Sequence, residues 1–158
     1  MLKSLIFVAA LLPAGAAVAK DQKPVSIYVG PMVRDGFVDV DQDVLDSIRD
    51  ITGELRRSPS FAVVIDESAA ALTLRVVSRL KVVSGAGVTT GSGTAIGSQV
   101  VGTSVTVPVE VMRLQTLLRV GSYERAFTGE SETAWKRCAG SIVKDLAVWV
   151  SANRERIR

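Results

Sequence analysis

The chain has 158 residues, and its 19 lysines and arginines against 16 aspartates and glutamates give a net charge of +3. So small a positive excess does not indicate nucleic-acid binding. The sequence contains no histidine, which excludes Ser-His-Asp and Cys-His catalysis and histidine-bearing zinc sites.

The first 19 residues have the features of a cleavable secretory signal peptide. Lys3 supplies positive charge, Leu5 to Leu12 form an uninterrupted apolar run too short to span a bilayer, and Ala17-Val18-Ala19 matches a peptidase site. We therefore expect a periplasmic or secreted protein with a single domain over residues 20–158. A lipid anchor would require a cysteine directly after the apolar run, and the only cysteine is Cys138, so we expect no lipid anchor.

The first half of the domain reads as strand, helix and strand. A β-rich run from Val25 to Val29 ends at Gly30-Pro31 and predicts a first strand. Apolar residues three and four apart predict a helix over about 41–57, with acids in its first turn and arginines in its last. The apolar run Phe61 to Ile65 predicts a second strand in the centre of a sheet.

A third strand is expected over residues 71–83. Strict alternation would place its residues on two faces: Leu72, Leu74, Val76, Leu80 and Val82 on one, and Thr73, Arg75, Val77, Arg79 and Lys81 on the other. The glycine-rich, uncharged segment 84–104 that follows is predicted to be a flexible insert, since its composition disfavours ordering on its own. A glycine-rich hairpin that extends the sheet is the alternative.

The chain ends with a hairpin and a helix. A fourth strand is predicted from about Val105 to Val120, where Pro108 is tolerated only at an edge or a bulge. The turn at Gly121-Ser122 leads to a fifth strand over 123–128, and a second amphipathic helix follows Ser131. The sequence thus predicts a two-layer α/β (α+β) sandwich: a mixed five-stranded sheet with both helices on one face.

Several segments carry a family resemblance. The Gly-Pro bend after the first strand, "FAVVID", "AAALTLRVVSRL", the hairpin "LQTLLRVGSYERAFTGES" and the helix ending "WVSAN" resemble the TolB N-terminal-domain-like envelope proteins. That group includes the curli-secretion outer-membrane lipoprotein and a lipoprotein activator of penicillin-binding proteins. The resemblance implies a periplasmic adaptor or assembly domain that is not an enzyme. This chain departs from it in lacking the lipoprotein cysteine.

Few residues suggest chemistry. Asp39, Asp41, Asp43 and Asp50 have part of the spacing of a calcium loop, but Val44 occupies the position that requires glycine. Carboxylates that stabilise a helix start explain the pattern better. No nucleotide-binding motif is present, and nothing in the sequence implies a cofactor or a metal.

The strongest candidate for a binding site is a basic, partly aromatic surface on the side of the sheet away from the helices. We expect it to dock a partner protein of the cell envelope through charge steering and aromatic anchors. Its predicted members are Arg75, Arg79, Lys81, Arg113, Arg119, Tyr123, Arg125 and Phe127. A solvated sheet face is the alternative interpretation.

Three classes of function are consistent with these patterns. The leading hypothesis is a non-enzymatic periplasmic or secreted adaptor or assembly domain that binds another envelope protein. The second is a membrane-associated oligomeric pore subunit that uses the glycine-rich hairpin. The third, an uncharacterised hydrolase-like enzyme, is disfavoured because the sequence has neither histidine nor a catalytic motif.

Overall fold

A computed structural model of the chain describes residues 23–34, 36–38, 41–96 and 99–157, with the backbone alone for 84–107. The predicted signal peptide lies outside the described residues. The main elements, in chain order, are β1 (Val25–Pro31), β2 (Val33–Arg34), β3 (Phe37–Val38), α1 (Gln42–Arg57), β4 (Phe61–Val63), β5 (Leu72–Ile96), β6 (Gln99–Val120), β7 (Tyr123–Ser131) and α2 (Trp135–Ala152).

The main sheet is mixed, with the strand order β4-β1-β5-β6-β7. β1 is parallel to both β4 and β5, while β5, β6 and β7 form an antiparallel meander. The long connection through α1 permits the parallel pairing, whereas Gly121, with φ +57, allows the tight turn between β6 and β7. β2 and β3 form a separate small hairpin around Gly36. The predicted α+β class and mixed five-stranded sheet are confirmed.

Both helices bury their apolar stripes on the same face of this sheet. α1 contributes Ile51 and Leu55, and α2 contributes Ile142 and Leu146; all four are fully buried. They belong to one continuous cluster with strand residues from β1, β5 and β6. The stripes predicted from 3.6-residue spacing are therefore the faces that pack on the sheet.

β4 differs from its predicted position and length. It lies at the edge of the sheet, paired only with β1, and it ends at Val63, so Ile65 is 95% exposed. Phe61 is buried because β4 packs against α1, and not because strands flank it on both sides. An apolar run indicates that a face of the strand is buried, and a helix can bury a face of an edge strand as well as of a central one. The run therefore does not show whether the strand is central.

A β-bulge in β5 changes which residues share a face. Val76 pairs with Thr116 and Ser78 pairs with Gln115, so Val77 is an extra residue without its own partner. The bulge exchanges the two faces beyond it, because side chains otherwise alternate strictly. Leu80, predicted to lie with the core residues, is 52% exposed, and Arg79 takes the side that packs on the helices.

The glycine-rich segment forms a paired hairpin, which is the alternative that the sequence offered to a flexible insert. β5 and β6 pair from Ser84↔Val109 through to Ile96↔Gln99. The composition of the segment disfavours an ordered structure on its own. However, β5 and β6 are already paired at Val83↔Glu110, so extending their pairing into the segment requires no further loop closure. Pro108 lies opposite the register shift between Ser84 and Val88, as its missing N–H requires.

The close approach of α2 to β7 at Gly129 predicts an effect on stability. A Cβ added at Gly129 would lie 2.1 Å from the backbone oxygen of Cys138, so α2 can pack this closely on β7 only where that strand has no side chain. We expect Gly129→Ala to lower the unfolding free energy by about 1–3 kcal/mol, measured by urea denaturation.

The matched control is Gly53→Ala in α1. A Cβ at Gly53 meets no atom within 4 Å, so this substitution is expected to raise stability by about 0.5–1 kcal/mol. Equal effects of the two alanines would contradict the assigned helix–sheet approach.

Candidate partner-binding surfaces

Three of the eight predicted surface residues lie on the face of the sheet away from the helices, and each is neutralised there. Arg113 bonds Glu130 at 2.6 Å and Arg119 bonds Glu124 at 2.8 Å. Both glutamates are directly opposite their arginines in the β6–β7 register, so the pairs are a product of strand pairing. The face is therefore charge-balanced rather than basic.

Arg75 is held most firmly of the three. It donates two hydrogen bonds to the carboxylate of Glu67 at 2.5 and 2.6 Å and one to the carbonyl oxygen of Pro31 at 3.1 Å. Its guanidinium also lies 5.4 Å from the ring centroid of Tyr28. With 9% of its surface exposed, Arg75 ties the start of β5 to β1 and is not presented to a partner.

Arg79 lies on the opposite, helix-covered face. Its guanidinium stands 4.3 Å from the ring centroid of Trp135 in α2, and it lies 3.8 and 4.0 Å from carboxylate oxygens of Asp50 and Asp43 in α1. The same group donates to the hydroxyl of Ser47 at 3.4 Å. Arg79 therefore bridges the two helices.

The remaining four predicted residues also belong to the helix side of the sheet. Tyr123 stacks on Trp149 of α2 with ring centroids 5.6 Å apart, and Phe127 is only 6% exposed within the core. Arg125 lies between them in β7 and places its guanidinium 5.4 Å from the Phe127 ring centroid. Lys81 is exposed and shares the face of Arg79, two positions along β5.

The prediction that these eight residues share the uncovered face is thus wrong for five of them. The bulge at Val77 displaces Arg79 and Lys81. For the three residues of β7 the sequence does contain the signal, because a two-residue turn pairs Val120 with Tyr123. Paired residues share a face, and Val120 lies on the same face as the core residue Leu118, two positions away. Tyr123 therefore lies on the face of Leu118 and not on that of Arg119. Whether any of the eight binds a partner stays a prediction.

The acidic residues that suggested a calcium loop have other roles among the described residues. Asp43 and Asp50 both flank Arg79, and Val44 is a buried residue of α1. Asp39 lies outside the described residues. No group of three metal-ligating side chains occurs in the part of the chain that the structure describes.

A groove that the sequence did not reveal runs between β7 and α2. It has a volume of about 500 Å³ and is lined on the strand side by Arg125, Ala126, Phe127 and Thr128, and on the helix side by Asp145, Val148, Trp149, Ala152 and Asn153. Phe127 and Trp149 form an apolar floor, while Val148 is 66% exposed on the rim. Only the tertiary arrangement of strand and helix creates this groove.

A second distinctive feature is the projecting part of β5 and β6, which we call the arm and define as residues 84–109. The last pair between β6 and β7 is Met112↔Ser131, and β1 stops pairing with β5 at Val76. The arm strands therefore pair only with each other in the described structure. The arm carries no charged residue and extends for about 35 Å at roughly 3.3 Å per residue.

No protein-family model matches the chain, and no curated protein is significantly similar to it. Among the described residues, no helix combines the length and the hydropathy needed to cross a membrane.

The position of Arg79 between the two helices predicts that replacing it lowers the stability of the fold. Replacing it by Met keeps much of the side-chain volume but removes the cation that links Asp50, Asp43 and Trp135. We expect Arg79→Met to lower the unfolding free energy by about 1–3 kcal/mol, because two carboxylates lose their counter-charge and one ring loses its cation.

Arg113→Met is the control, since its pair with Glu130 is exposed. Thermal and urea denaturation should show a loss of at most about 1 kcal/mol for this variant. A larger loss for Arg113→Met than for Arg79→Met would contradict the bridging role of Arg79.

Cys138 generates a prediction about reactivity. It is fully buried, its Sγ lies 3.4 Å from the backbone oxygen of Met112, and burial raises the pKa of the thiol above its ordinary value. At a given pH the folded protein therefore holds less thiolate than the unfolded chain does. Labelling with a disulfide reagent at pH 8 should be slow for the folded protein and fast in denaturant. Native labelling as fast as that of the unfolded chain would contradict this environment.

Proposed function

We propose that this protein is a non-enzymatic adaptor or assembly protein of the cell envelope that uses its arm to bind another envelope protein. The observation that carries the proposal is that, among the described strands, those of the arm pair only with each other. A two-stranded hairpin is marginally stable by itself, and its unpaired edges are templates for association with another chain. A partner that covers the arm would both stabilise the hairpin and occupy its unpaired edges.

The composition of the arm supports this role. Proteins commonly protect free strand edges with charged residues, especially lysine, and the arm has none over residues 84–109. The glutamates and arginines of this part of the sheet begin only at Glu110 and Arg113. The chain thus changes from a charge-balanced sheet to an uncharged projection where the neighbouring strands end. The predicted signal peptide supports a place in the periplasm or outside the cell.

The alternative function is a membrane-associated oligomeric pore subunit. The length of the arm favours it, since a strand of about 9–11 residues is long enough to cross a bilayer and both arm strands reach that length. In this case the arm would contact lipid and other copies of the chain, so the two functions differ in what touches the arm.

Site-specific photocrosslinking in intact cells tests the proposal. A photoreactive residue replaces Thr94 in the arm, and a control places the same residue at Ser141, exposed on α2 and outside the arm. We expect Thr94, but not Ser141, to give an adduct with a different envelope protein. Adducts formed only between copies of the chain would favour the pore subunit, and the absence of an arm-specific adduct would overturn the proposal.

A variant without the arm completes the test. Joining Val83 to Glu110 through Asn-Gly preserves their existing pair and supplies a two-residue hairpin turn. The shortened protein should retain the circular dichroism spectrum expected for the remaining sheet and helices, because the described pairing of β5 with β1 ends at Val76 and that of β6 with β7 ends at Met112, both outside the arm. It should also lose the partner from co-purification.

A further inference from the structure

The groove between β7 and α2 combines three features that suit an extended peptide. The first is a free backbone edge: β7 is the last strand of the sheet, and no other described strand pairs with its outer side. Backbone N–H and C=O groups on such an edge can hydrogen-bond an added strand. This surface is separate from the arm.

The second feature is an apolar floor beside that edge. The rings of Phe127 and Trp149 lie at the bottom of the groove, and the exposed Val148 extends the apolar surface to the rim of α2. A volume of about 500 Å³ accommodates side chains from a short segment of extended chain. Alternate residues of an added strand would enter this space, since side chains of a strand point to its two faces in turn.

The third feature is a cation without a carboxylate partner. Among the described residues, Arg75, Arg79, Arg113 and Arg119 each have a carboxylate oxygen within 4.0 Å, whereas Arg125 has none. The guanidinium of Arg125 lies above the Phe127 ring on the wall of the groove, next to the free edge. Asp145 on the opposite wall disfavours additional acids. The charge pattern thus fits a segment with a single carboxylate.

We propose that β7 binds an extended segment of a partner protein as a sixth strand of the sheet. The segment places one apolar side chain beside Phe127 and, two positions away, an aspartate or glutamate on Arg125. The spacing of two follows from the spacing of Arg125 and Phe127 themselves, which share a face of β7. The occupant is therefore a short, mildly acidic β-strand.

The test measures binding of the full-length protein to a fluorescent peptide, acetyl-Thr-Val-Thr-Leu-Thr-Glu-Thr-amide, by fluorescence anisotropy. Its order Leu-x-Glu matches an antiparallel addition. We expect Arg125→Glu to weaken this peptide about ten-fold and to strengthen a peptide with lysine in place of glutamate. Arg137→Glu makes the same charge change at an exposed position of α2 that does not line the groove, and should leave both affinities within two-fold.

Backbone methylation of the peptide tests strand addition directly. One peptide carries N-methyl groups on Leu and Glu, and a second carries them on the two threonines that directly precede Leu and Glu. Since alternate N–H groups of a strand point to opposite edges, we expect one peptide to lose binding and the other to retain it. Equal binding of the two, no binding of the parent peptide, or an Arg125→Glu effect no larger than that of Arg137→Glu would overturn the proposal.

Two further measurements separate the alternatives. A dimer that forms without peptide and dissociates in Arg125→Glu would assign β7 to a second copy of the chain and so overturn the peptide proposal. The variant without the arm should bind the peptide with unchanged affinity, because arm and groove share no residue. The proposal for the arm and the proposal for β7 can therefore fail independently of each other.

Discussion

Burial of both helix stripes against one face of the sheet is the constraint on which the rest of the structure depends. Ile51, Leu55, Ile142 and Leu146 have no exposed surface, and they share one cluster with residues of the sheet. At roughly 25 cal/mol per Å² of apolar surface, such burial is the main favourable term available to a domain without a disulfide. Any polar residue directed to this face must find its partners there, and Arg79 does so between Asp50 and Trp135.

The same constraint determines what the protein leaves available to others. One face of the sheet is covered by helices, and the arginines on the other face are matched to glutamates by strand register. Among the described residues, the long strand edges without a neighbour are those of the arm and of the outer side of β7, while the short β4 ends the opposite side of the sheet. The arm includes the first half of the long β6 strand, whereas β7 pairs along its second half.

These two free edges differ in how they are protected. β7 carries Glu124, Arg125 and Glu130 along its length, and such charges discourage indiscriminate strand pairing. The arm has no such charges, and its pairing continues a ladder that begins in the core. A charged edge and an uncharged one therefore coexist in the same sheet.

The sequence by itself determined both helices, the five strands of the main sheet and the layer arrangement, because the spacing of apolar residues reports directly which face of a helix or strand is buried. It also located the constraint at Pro108, since a missing N–H is a local property. The tertiary structure alone decided that β4 lies at an edge, that the arm is paired, and that Arg79 faces the helices. One unpaired residue, Val77, exchanges the two faces of β5. A bulge depends on how two strands pair, so the sequence of one strand alone does not reveal it. The groove beside Arg125 likewise exists only because α2, which follows β7 in the chain, folds back and packs beside that strand.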